Sequence, residues 1–96
     1  MNTELEIQFN KTVEYVNSLP LEGPFNLYDE NRAILYGLYK RITIGKCSEK
    51  GGDQPYMTDF ISRAKWEYWN KCNNITKEEA MVKYIFIINQ LKEKYL

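Results

Sequence analysis

At 96 residues the chain has room for one buried core but not two, so we read residues 1–96 as a single domain. Its 44% apolar and 27% charged residues are an ordinary globular mixture, which excludes a disordered or fibrous chain. Thirteen basic and thirteen acidic residues cancel, which argues against nucleic acid as the main partner. The charge is unevenly spread, however. Residues 1–30 hold six acids and one lysine, whereas residues 31–66 hold seven basic residues and three acids, a pattern that suits a local anion site.

Taken in chain order, the opening "MNTELEIQF" carries acids where a secretory leader would carry a basic region and an apolar core. No run approaches the roughly 20 apolar residues that span a bilayer, so a cytoplasmic protein is expected. Residues 3–18 then show a helical stripe of Leu5, Phe9, Val13 and Val16, opened by a Thr3–Glu6 capping box. "LPLEGP" at 19–24 interrupts it.

Residues 29–44 form the second predicted helix, which contains "LYGLYKRITIG". Ile34, Leu38 and Ile42, with Leu35 beside them, make the face expected to enter the core. Tyr36, Tyr39 and Lys40 stand at i, i+3 and i+4 on the other side, facing outward or into something that is not core. A long loop around "EKGGDQP" follows. The third predicted helix covers 56–71, with Phe60, Ala64 and Tyr68 at four-residue steps and Trp66 and Trp69 one turn apart. The fourth starts with a second capping box, "TKEE" at 76–79, and aligns Met81, Tyr84, Ile85, Ile88 and Leu91. The β-branched clusters "RITIG" and "YIFII" sit inside longer helical periods with no hairpin signal, so the fold class is all-α.

Catalytic chemistry is poorly supplied. The chain has no histidine, and its carboxylate pairs Asp29/Glu30 and Glu78/Glu79 fall at helix starts, where the helix dipole accounts for them. Cys47 and Cys72 lie far apart and outside any CxxC pair, which reads as two reduced thiols and no metal site. Binding is better supplied. Tyr36, Tyr39, Lys40 and Arg41 lie on the second helix, Arg63 and Lys65 among the aromatics of the third, and Lys83 and Tyr84 on the fourth. Aromatic faces stack on a purine, and Lys and Arg neutralise phosphates, so the mixture suits a phosphorylated nucleotide. Tyrosines sealing a core edge and lysines lying along it would give the same pattern.

Three blocks together resemble a known family. "LYGLYKRITIG", "DFISRAKWEYWNK" and "ITKEEAMVKYI" are similar, in order and spacing, to the signature blocks of the acyl-CoA-binding protein family. Those blocks commonly read Y-x-x-Y-K-Q-A-T-x-G, D-x-x-G-K-A-K-W-x-A-W and S-x-E-D-A-M-x-x-Y-I. The opening helix, from Phe9 through Val16 to Leu19, follows the family pattern too, so the resemblance covers nearly the whole chain. It implies a four-helix up-down-down-up bundle, with the long loop between helices 2 and 3, that binds long-chain fatty acyl-CoA without reacting and needs no cofactor.

Carried over by position, Tyr36, Tyr39 and Lys40 would contact the nucleotide and its 3′-phosphate, Lys65 would meet phosphate, and Tyr84 would lie near the adenosine. The acyl chain would occupy a groove between helices. Phe9, Val16, Ile85, Ile88 and Leu91 fall where the first and last helices pack.

The chain departs from the family where Asn17 and Ile61 replace frequent cations and Ser62 replaces a glycine. Each lost cation at a partly exposed position removes about 1 kcal/mol of binding. Arg41 and Arg63 are placed to compensate, and Ile61 to add apolar contact with the acyl chain. The resemblance thus implies a monomeric cytoplasmic carrier of medium- and long-chain acyl-CoA that transiently meets acyl-CoA-using enzymes or membranes. The alternative is a helical interaction module that keeps the bundle and turns its aromatic-basic surface toward a protein.

Overall fold

The computed structural model describes residues 3–18, 30–50 and 59–95, without the side chains of 30, 31, 61, 94 and 95. The first connection, most of the loop after the second helix and the side chain of Ile61 therefore lie outside the described residues. Helices α1 (Glu4–Ser18), α2 (Glu30–Thr43), α4 (Phe60–Lys71) and α5 (Lys77–Tyr95) form the bundle, joined by a one-turn helix α3 (Cys47–Lys50). No strand occurs among the described residues.

The expected caps form. The Glu6 amide donates to Thr3 Oγ1 at 3.1 Å. At the start of α5 the box closes in both directions: Glu79 N–H donates to Thr76 Oγ1 at 3.0 Å, and Thr76 N–H to Glu79 Oε1 at 3.1 Å. The third long helix begins later than its sequence pattern suggests. Asp59 is its N-cap, accepting from the Ser62 amide at 3.2 Å, so the helix runs from Phe60 and not from residue 56. Phe60 is then in the first turn and 78% exposed, which removes it from the expected stripe; Trp69 fills the core from that helix instead.

Side-chain pairs fix the topology. Phe9 packs on Tyr84, and Tyr15 lies beneath Lys92, so α1 and α5 run parallel. Tyr36 meets Lys65 and Lys40 meets Trp69, so α2 and α4 also run parallel. Arg41, near the end of α2, donates from Nε to the Ile75 carbonyl just before α5 at 3.0 Å, whereas Ile34 near its start shares a hollow with Ile87 of α5. Those two helices are antiparallel, and the bundle is up-down-down-up.

The core follows the apolar periods: Phe9, Leu35, Leu38, Ile42, Met81, Tyr84, Ile88 and Leu91 are buried, with Val13, Val16, Ile34 and Ile85 packed against them. Two glycines let the helices meet. At Gly37 a Cβ would stand 2.6 Å from Trp69 N and from the Tyr68 carbonyl carbon, so α2 and α4 touch backbone to backbone there. Gly45 ends α2 at φ +127°, and its carbonyl accepts the Trp69 indole N–H at 2.8 Å. Helix α3 is latched beside this turn, with the Ser48 amide donating to Asn73 Oδ1 at 3.1 Å and Cys47 buried.

Candidate functional site

The parallel contact of α2 and α4 brings two cations to one aromatic ring. The Lys65 ammonium stands 5.0 Å from the centre of the Tyr36 ring, and the Lys40 ammonium stands 5.6 Å from it. Lys40 is also 5.6 Å from the Trp69 ring, whose indole is fixed by its bond to Gly45. Each cation gains from the ring quadrupole. Among the described residues neither ammonium has a carboxylate within salt-bridge distance, since that set holds one ion pair, Arg63–Glu67. Two like charges held over one ring, with no counter-charge paired to them among the described residues, make a polar cradle for an anion, and a doubly charged group such as a phosphate monoester suits it.

Beside this cradle lies a second aromatic set. Phe9 contacts Tyr84 edge-on at 5.2 Å between centroids and Tyr39 at 6.4 Å, so α1, α2 and α5 share one aromatic cluster. Tyr39 is 37% exposed, whereas Tyr84 is 5% exposed. Burial pushes the Tyr84 phenol up to about 12, with a smaller push from Tyr39. At neutral pH it is therefore a neutral donor and acceptor.

The structure thus groups Tyr36 with Lys40 and Lys65, and Tyr39 with Phe9 and Tyr84, the two groups meeting along α2. Tyr36 and Lys40 are half-buried and not fully turned outward, because α4 closes over them at Gly37.

The remaining basic residues have other roles. Arg41 ties the end of α2 to Ile75 through Nε, and Arg63 pairs with Glu67 through Nε at 3.1 Å, so each already has one structural contact. Lys83 points into a different hollow, with Ile34 and Ile87, and does not join the cradle. Ile61 lies outside the described side chains, and Asn17 is exposed. Sequence reasoning missed Gly37, although a glycine inside an apolar helical period is itself a sign of close backbone approach. Both cysteines are free and buried, and burial pushes both thiols up; Lys83 and Arg41 pull Cys72 back in part.

Comparison with known proteins agrees with this geometry. Residues 6–88 match the family model described as acyl-CoA-binding protein. The chain is 35% identical over 78 residues to acyl-CoA-binding domain-containing protein 5-B of Danio rerio, covering 81% of this chain and 18% of that protein. It is 29% identical over 90 residues to acyl-CoA-binding protein homolog 3 of Caenorhabditis elegans, covering 94% of this chain and 75% of the relative. The chain therefore spans less than a fifth of the Danio relative's length but most of the nematode one.

Among solved structures, the fold is similar to Oryza sativa acyl-CoA-binding protein 2, with a TM-score of 0.74 and 32% identity over 94% of this chain and 92% of that one. It is also similar to the protein from Moniliophthora perniciosa, with a TM-score of 0.81 and 30% identity over 93% and 81%. The chain belongs to the acyl-CoA-binding protein family.

Proposed function

We propose that this protein is a carrier of medium- and long-chain fatty acyl-CoA that performs no reaction on its ligand and needs no cofactor. The observation that carries the reading is the convergence of Lys40 and Lys65 on the Tyr36 ring, next to Tyr39, which is backed by the buried rings of Phe9 and Tyr84. The lysines offer charge-assisted bonds to the phosphates, and Tyr36 and the exposed Tyr39 offer ring faces to the adenine. Each methylene of the acyl chain buried in a groove adds about 0.8 kcal/mol. In this reading the protein acts as a cytoplasmic monomer that buffers the thioester and releases it on transient contact with enzymes or membranes. A protein-interaction module with the same bundle would have little use for two cations trained on one ring.

Isothermal titration calorimetry with palmitoyl-CoA, free CoA and free palmitate, each below micelle formation, tests the proposal. The expected result is one-to-one binding of the thioester far tighter than of either half. Equal affinity for palmitate and palmitoyl-CoA would remove the nucleotide cradle from the account.

A further inference from the structure

A second hollow lies on the other side of α2 from the twin-lysine cradle. Its walls are Ile34 and Leu38 of α2, Cys72 at the end of α4, and Phe86 and Ile87 of α5, and it encloses about 310 Å³. Ile34 stands two residues, about 200° of helical turn, from Tyr36, and Leu38 the same from Lys40, so the two sites open on opposite faces. The volume is at the lower end of the ~300–1,000 Å³ of ligand pockets.

Two features show what chemistry it takes. Phe86 is 59% exposed on its wall, so the hollow has an apolar side open to solvent. The two charged groups lining it are both cationic: Lys71, whose ammonium lies 4.6 Å from the Tyr68 ring, and Lys83. An apolar lining whose two charged residues are both lysines matches a molecule with an alkyl body and one anionic head.

We propose that this hollow is a second binding site, for a free alkyl carboxylate of medium chain length. The tail lies among Ile34, Leu38 and Ile87, and the carboxylate meets Lys71 and Lys83. A carboxylate of this kind is what hydrolysis of an acyl thioester leaves behind, so the site would hold the acid apart from the thioester. It uses none of Tyr36, Tyr39, Lys40, Lys65 or Tyr84, and it stands whether or not the cradle binds acyl-CoA.

Two-dimensional amide NMR of the isotope-labelled protein, titrated with dodecanoate below micelle formation, is the test. It is run with and without saturating palmitoyl-CoA and repeated with dodecanol. Dodecanoate should give saturable shifts centred on Ile34, Cys72 and Ile87 that persist when palmitoyl-CoA is present. Dodecanol should bind at least about tenfold more weakly, as should a Lys71→Gln/Lys83→Gln variant, since each loses at least one charge-assisted bond. Phe86→Glu, at an exposed position, should abolish the shifts while leaving the spectrum folded. Shifts that do not saturate, that centre on Tyr36 and Tyr84, that palmitoyl-CoA removes, or that survive Phe86→Glu would overturn the proposal.

Discussion

Tyr84 shows how burial changes the chemistry of a single side chain. Its ring is buried against Phe9, and that burial pushes its phenol from an ordinary value of 10.0 to about 12. A phenol held more tightly protonated in the folded state contributes stability that is complete below pH 10, where both states keep the proton. That stability is lost as pH rises towards 12, because the unfolded chain ionises first. Two pKa steps correspond to about 2–3 kcal/mol. Urea unfolding of the wild type should therefore show a fall of that order between pH 10 and 12, and Tyr84→Phe should lose less over the same range. An identical pH dependence in both proteins would mean that Tyr84 is not the buried phenol described here.

At the scale of elements, the α2–α4 contact decides whether the cradle exists. Gly37 lets the two backbones touch, which brings Lys65 over the ring presented by Tyr36. Gly37→Ala must push α4 away or strain α2, at about 1–3 kcal/mol by the cost of overpacking. We expect a lower unfolding midpoint and, in the fraction that folds, weaker acyl-CoA binding. A variant as stable and as tight as wild type would show that the approach is looser than 2.6 Å implies.

Elements also mark the limit of what the sequence revealed. The stripes of α1, α2 and α5 and the capping box at Thr76 were legible because apolar period and cap chemistry agree there. The start of α4 was not, since Phe60 continues the four-residue period while Asp59 terminates the helix, and the cap outweighs the pattern. Helix α3 was hidden as well. Its four residues have no period of their own and are held by Asn73, distant in sequence.

Over the whole molecule, the bundle separates two kinds of surface. One side carries the aromatic set and paired lysines, and the other an apolar hollow rimmed by Lys71 and Lys83. The meeting of Tyr36, Lys40 and Lys65 was legible in the family blocks, which hold the three at fixed spacing. The engagement of Arg41 with Ile75 and of Arg63 with Glu67 was not, since a side chain's partner depends on how helices pack.

The central claim is that Lys40 and Lys65 over Tyr36 form a phosphate cradle. The most direct measurement compares palmitoyl-CoA with palmitoyl-dephospho-CoA, which differ only in the 3′-phosphate, by calorimetry on the wild type and on Lys40→Ala. The expected result is at least about tenfold weaker binding of the dephospho ligand to wild type, the worth of one charge-assisted bond, and a much smaller gap in Lys40→Ala. Equal affinity of the wild type for the two ligands would contradict the account.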